Sequence, residues 1–286
     1  MNTIRQYIID GNFPLCVDEI EKNISSINEY IDDKGNNLSH IAAYHNTKSD
    51  IMQLLVKKGI NINHQNKDGV VPLGYSVIMG RKEISYYLLS LPTCNLNLED
   101  DCGGTVCHHC IRYERYDILS HILKTFDDVN LESIHYKEGS LLEYSLNIGR
   151  IDIFKALINK GANIHIKCRN GEPLIFKLLS DPSSLKYLID RKYNINICNR
   201  KGDSPLHVAV TEGRLDVIDI LLRHRANINY RGANLNSPLH LAVIKGDLAI
   251  ISLLLKHRAR KDMINQQGAY PKNMTNDSSI IKLLNF

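Results

Sequence analysis

The chain has 286 residues, 43% of them hydrophobic, with 35 Lys and Arg against 31 Asp and Glu. No stretch approaches the ~18 consecutive apolar residues of a membrane helix, and a net charge of +4 is milder than a nucleic-acid-binding domain usually carries. Seven scattered cysteines, an odd number, suit a reducing compartment better than a disulfide framework. Residues 1–7 lack the apolar run of a secretion signal, so a cytoplasmic chain is expected, with the nucleus as an alternative. The charge is uneven: 13 Lys/Arg against 7 Asp/Glu from Asn199 onward, 22 against 24 before it.

A 33-residue period organises the whole length. Residues 1–31 read as an N-terminal cap, a half-unit with Gly11-Asn12 at its inter-helix turn. Units are expected at 32–65, 66–99, 100–135, 136–166, 167–198, 199–231 and 232–264, followed by a C-terminal cap at 265–286 with Gly268 and Pro271 at hairpin and helix-start offsets. The first unit keeps Gly35, His40, Ala42 and Ala43. The second keeps Gly69, Pro72, Leu73 and Gly80 but has Gly74 in place of a His. The third carries Cys107-His108-His109-Cys110, and the fourth has Leu141-Leu142-Glu143 where others have Pro-Leu-His. The fifth, around Pro173-Leu174-Ile175, reads one residue short, so the middle of the chain is expected to be the least regular.

The sixth and seventh units state the pattern most fully, as Ser204–Val210 and Ser237–Val243. Asn199-Arg200-Lys201-Gly202 is turn chemistry, Ser204 caps the next helix and Pro205 occupies its first turn, where a missing N–H costs nothing. Leu206 and Ala209 face inward, Gly213 ends the helix, and Leu215, Val217, Ile218, Leu221 and Leu222 form the apolar stripe of a second helix. No unit can bury that stripe alone, so stacking is obligatory.

This wording at this period resembles the ankyrin repeat. The resemblance covers essentially the whole chain and implies an all-α solenoid of stacked helix-turn-helix units with short β-hairpin fingers, forming one domain. It implies a non-enzymatic, monomeric module that binds another protein, with no cofactor, nucleic acid or membrane. The Asn-, Ile- and Lys-rich composition is similar to ankyrin proteins of large DNA viruses, especially poxviruses, or of intracellular bacteria. That likeness implies host-directed binding that blocks or recruits a partner. Many poxvirus relatives end in an F-box-like segment, whereas Ile280–Phe286 falls inside the cap. The alternative is a transcription-factor inhibitor of the inhibitor-of-NF-kappa-B type, from the wording Ser237–Leu255 followed by Gln267-Gly268-Ala269-Tyr270-Pro271.

In this family partners usually meet the inner helix just before the inter-helix turn. Here those positions carry Tyr44-His45, Ile78-Met79, Arg112-Tyr113, Asn147-Ile148, Thr211-Glu212 and Ile244-Lys245. Tyr44, Ile78, Met79, Arg112, Tyr113, Ile148 and Ile244 are therefore candidate contacts, joined by Arg200 and Lys201 at a hairpin tip; the competing reading packs these side chains on the adjoining unit. A second feature is basic. Gly59 and Gly161 end second helices as the family prefers, but Lys192, Arg225 and Arg258 stand at the equivalent places. With Arg191, Arg223, His224, Lys256 and His257 they form a basic row, either an acidic partner's footing or favourable charge at helix C-termini.

Thiol and imidazole donors at Cys107, His108, His109 and Cys110, with Cys102 nearby, raise a zinc or cysteine-enzyme reading. The register explains them as repeat positions, with Cys107 in the Leu slot, His108 in the His slot and Cys110 in the Ala slot, so no metal is expected. The resemblance gives His40, His108, His207 and His240 a structural bond between units. No P-loop, dinucleotide or kinase signature appears. Asn63, Asn196 and Asn229 each lie eight residues after a Leu, a context similar to that recognised by the asparaginyl hydroxylase of animal cells.

Overall fold

The computed structural model describes residues 2–23, 27–29 and 31–285; Met1 and Phe286, the outer limits of the two expected caps, lie outside them. The chain divides into two compact units, Met1–Asn163 and Ile164–Phe286. Both are built from antiparallel helix pairs, the helix-turn-helix architecture that the repeat implies.

The first unit contains five pairs: α1 (Asn2–Ile9) with α2 (Phe13–Lys22), α3 (Leu38–His45) with α4 (Asp50–Lys57), α5 (Pro72–Ile78) with α6 (Lys82–Leu89), α7 (Val106–Arg112) with α8 (Tyr116–Thr125), and α9 (Leu141–Asn147) with α10 (Ile151–Asn159). First helices stack in order, α1 on α3, α3 on α5, α5 on α7 and α7 on α9. Fully buried Ala42 and Ala43 on α3 leave room for that approach. The segment expected as a half-unit forms both helices of a pair, with Gly11 at φ +66° between them.

The second unit contains α11 (Ile175–Leu178) with α12 (Pro182–Ile189), α13 (Pro205–Glu212) with α14 (Leu215–Arg223), and α15 (Pro238–Lys245) with α16 (Leu248–Lys256). It ends in a 3-10 turn at Pro271–Met274 and α17 (Ser278–Asn285). α13 packs on α15, and the second helices stack α12 on α14 on α16. The irregularity expected around Pro173 is real: α11 is a single turn of four residues, and Pro173, instead of opening the helix, pairs with Lys167 in an isolated β-bridge.

Most fingers are tight turns seeded by one side chain. Asp32, Asn66, Asp100, Asn199 and Asn265 each accept, at Oδ1, the N–H groups two and four residues ahead, at 2.9–3.1 Å. That Asx geometry lets a short polar side chain stand in for a backbone partner. In the fourth finger His135 takes the Asx role: its Nδ1 accepts the Lys137 N–H at 3.1 Å. Here alone among the described residues do strands form, β1 (Ile134–His135) antiparallel to β2 (Gly139–Ser140). Neighbouring fingers are tied by backbone bonds, Lys67 N–H to Lys34 O at 2.8 Å and Gln266 N–H to Asn234 O at 2.9 Å among them.

Candidate protein-binding surface

Four histidines fix how successive repeats meet. His40 Nε2 lies 3.0 Å from the Val70 carbonyl and His240 Nε2 lies 3.1 Å from that of Ala269. Their Nδ1 atoms accept the backbone N–H groups of Asn37 and Ser237, at 3.2 and 3.1 Å. At His240 that pattern requires a neutral ring protonated at Nε2. Burial favours that form and pushes the pKa of His40 and His108 down to about 4. These rings are structural ties with both nitrogens committed.

A second set of ties uses cations. Arg81 Nε donates to the Tyr44 carbonyl at 3.1 Å, Arg115 Nε to that of Val77 at 3.2 Å, and Lys245 Nζ to that of Thr211 at 2.6 Å. Each carbonyl ends the first helix of the preceding repeat, where the dipole favours positive charge. A methyl group on Gly80 would lie 2.8 Å from Arg115 Nη2, so the glycine makes room for the crossing guanidinium.

Around these ties sit the candidate contacts. On α3, Tyr44 is 40% exposed and lies edge-on to Tyr75 with ring centroids 5.8 Å apart. Ile78 and Met79 at the end of α5 and Tyr113 after α7 are half-buried, and Ile148 after α9 is 39% exposed. Stacking of α3, α5, α7 and α9 brings these five to corresponding helix ends of one unit. Arg112 is exposed but turns inward, donating from Nε to Glu138 at 2.7 Å and approaching His135 Nε2 at 3.0 Å. In the second unit Ile244 at the end of α15 is 51% exposed, and Arg200 and Lys201 are exposed at a finger. Arg225 and Arg258 follow second helices, at the opposite end of their helix pairs from Ile244, so the candidates do not form one patch. Sequence reasoning passed over Ile134 and Tyr136, 64% and 53% exposed on the β1–β2 finger, because that finger has lost the repeat's wording.

The basic row has an unusual backbone. Lys192, Arg225 and Arg258 stand at φ +62°, +67° and +67°. Gly59 and Gly161 serve the same turn in the first unit, and an added Cβ at either would meet nothing within 4 Å. A non-glycine residue in this conformation costs up to about 1 kcal/mol. All three row residues are exposed and make no ion pair, whereas neighbouring Arg223 holds Asp219 at 2.8 Å and Arg191 lies over the Tyr187 ring at 3.5 Å.

The donors near Cys107 do not assemble as a reactive centre. Cys107 and Cys110 are wholly buried; burial pushes the Cys107 thiol up to about 12 and the Cys110 thiol also well above its ordinary value. A different trio, Asp100, Cys102 and His135, brings its ligand atoms within 4.8 Å of one another. Its Asp100 and His135 are already engaged in bonds to the protein. Asp100 accepts the Cys102 and Gly104 N–H groups and pairs with His109 Nε2 at 2.8 Å, while His135 faces Lys137 N–H and the Arg112 guanidinium. Burial opposes the charge on Asp100, but these bonds outweigh it and hold its carboxyl down at about 2. The cluster reads as a structural brace in which Arg112 supplies a cation to Glu138 and His135.

The hairpin-flanking asparagines bridge repeats. Asn63 accepts the Asn95 N–H at 2.9 Å and donates to the Thr93 carbonyl at 2.6 Å; Asn196 and Asn229 accept the N–H groups of Asn227 and Arg260 at 2.8 and 2.9 Å.

No helix among the described residues is long and apolar enough to cross a membrane. The profile described as ankyrin repeats (3 copies) matches residues 11–100 and 168–265. The nuclear factor NF-kappa-B p105 subunit of Gallus gallus is 40% identical over 134 residues, 44% of this chain and 14% of its own. Ankyrin repeat protein OPG189 of Variola virus is 27% identical over 190 residues, 62% of this chain and 32% of its own. A putative palmitoyltransferase, ZDHHC13 of Danio rerio, is 26% identical over 172 residues, 59% of this chain and 26% of its own. The chain spans a third or less of the length of each of these relatives.

Proposed function

The chain belongs to the ankyrin-repeat family, and on that premise we propose that it is a non-enzymatic scaffold that binds a host protein and blocks or recruits it. The observation that carries this is the exposure of Tyr44, Ile148 and Ile244 at the ends of first helices, 40%, 39% and 51%. Aromatic and aliphatic side chains held in water beside rigid helix ends are what a docking surface offers a partner. A preformed surface also loses little freedom on binding. Similarity to a Variola virus ankyrin protein supports the host-directed part. Seven free cysteines support a reducing compartment, cytoplasm or nucleus.

The test is capture from host cells with the full chain and with the Ile148→Asp and Ile244→Asp variants. One variant should lose a partner that the parent retains, with unchanged thermal unfolding. Equal capture by all three would overturn the reading. The 40% identity to the p105 subunit favours a second role, inhibition of an NF-kappa-B-type transcription factor. In a gel shift the purified chain should then release that factor from DNA.

A further inference from the structure

We propose that Lys192, Arg225 and Arg258 form a docking strip for an extended acidic polypeptide segment with a carboxylate at every third residue. This deepens the scaffold reading and rests on it.

The strip follows from the stacking of α12, α14 and α16, whose ends each lead into one of the three residues. Packed helices lie about 8–10 Å apart, and a chain extended as polyproline II advances about 3.1 Å per residue with about three residues per turn, so every third side chain points the same way. Three residues of such a chain therefore match one repeat, and successive carboxylates fall opposite successive cations.

Three observations point to a ligand. The cations are unpaired, although the corresponding region of the first unit neutralises its own: Lys58 holds Glu21 and Lys160 holds Asp127, both at 3.0 Å. The strip keeps charged side chains in a left-handed conformation that glycine serves at Gly59 and Gly161. Backbone strain retained at successive equivalent positions is a mark of use. The surrounding unit also carries 19 Lys/Arg against 10 Asp/Glu, whereas the first carries 16 against 21. Attraction of charges across dipole-favoured helix ends explains Arg223 and Lys256 in the last turns, but the strip residues lie beyond those turns. Asp190 is the acid that interrupts the row. A protein segment is favoured over nucleic acid because the Arg191 guanidinium lies over Tyr187, the aromatic ring beside the row on α12, and competes with a base for that ring.

The experiment uses the full chain and three fluorescent probes: a peptide with Glu at every third position, one of the same composition with its Glu residues contiguous, and an oligothymidine of equal charge. Binding is followed by anisotropy at low and high salt. The spaced peptide should bind best, weaken severalfold in high salt, and lose at least tenfold in affinity for K192G/R225G/R258G. Glycine suits the left-handed turn, so that variant should unfold no earlier than the parent; K192Q/R225Q/R258Q keeps the side-chain bulk and should lose affinity equally. K186Q/K272Q/K282Q, which removes three exposed charges elsewhere in the unit, should bind as the parent does. Equal loss in that control, tighter binding of oligothymidine or of the contiguous peptide, or unchanged affinity of the glycine variant would each overturn the strip. Salt-sensitive self-association abolished by the glycine variant would overturn it in favour of a second copy. A partner captured through Ile148 or Ile244 that ignores the glycine variant would leave the scaffold reading standing without the strip.

Discussion

His207 and Asn236 join two successive repeats of the second unit: the ring Nε2 donates to the Asn236 carbonyl at 3.0 Å, and Nδ1 faces the Ser204 hydroxyl at 2.7 Å. His207 is fully buried, so both bonds are sheltered from water. Replacing His207 by Ala removes one partner of each and leaves the carbonyl unsatisfied, at a cost of about 2–4 kcal/mol once the lost packing is included. Urea unfolding of the His207→Ala protein should show that loss. A midpoint equal to the parent's would remove the tie from the account of repeat coupling.

Acid should loosen the same joints. His40 and His108 have folded-state values of about 4 against an ordinary 6.5. Below pH 6.5 the unfolded chain takes up protons that the folded one refuses, so stability is complete above that value and declines between 6.5 and 4. The loss is on the order of 1–3 kcal/mol per ring. Asp100, held near 2, adds its own loss only below its ordinary 3.8. Denaturant midpoints at pH 7 and pH 4.5 that coincide would contradict this.

How much of this was readable beforehand depends on how local each device is. Left-handed caps at Lys192, Arg225 and Arg258 follow from their offset within the period, because helix ends obey local rules. The consensus histidines were readable for the same reason. Arg115 reaching the Val77 carbonyl 38 residues back was not. Its partner depends on the path of a long side chain over the preceding repeat, which no local pattern records. The fourth finger hid itself differently: His135 replaced the Asx residue and the unit before it is one residue longer, so the exposed Ile134 and Tyr136 fell out of register. The candidate surface was legible as positions but not as groups, since chain order does not say that Arg225 and Ile244 stand at opposite ends of their helix pairs.

Arg225→Gly should stabilise the second unit. The residue stands at φ +67° and makes no ion pair, so glycine relieves strain without breaking a salt bridge. Greater freedom of glycine in the unfolded chain offsets part of the gain. The expected outcome is a rise of up to about 1 kcal/mol in unfolding free energy, read from thermal or urea melts. A clear loss would mean that the guanidinium contributes more to the fold than its exposure indicates.

The bridging asparagines set an order for modification. A hydroxylase working on Asn63, Asn196 or Asn229 must draw that segment out of its turn, so access follows local opening. Asn63 holds two bonds to the next repeat, to Asn95 and Thr93, while Asn196 and Asn229 each hold one, through Oδ1. In protein made in animal cells, one added oxygen should therefore appear at Asn196 or Asn229 before Asn63. Asn63→Ala should cost about 1–2 kcal/mol, because two inter-repeat bonds go with it; Asn229→Ala should cost about half as much. Peptide mass analysis and urea melts read the two arms separately. Absence of added oxygen at all three sites would retire the modification while leaving the bridges intact. Oxidation of Asn63 first would show that local opening does not govern access.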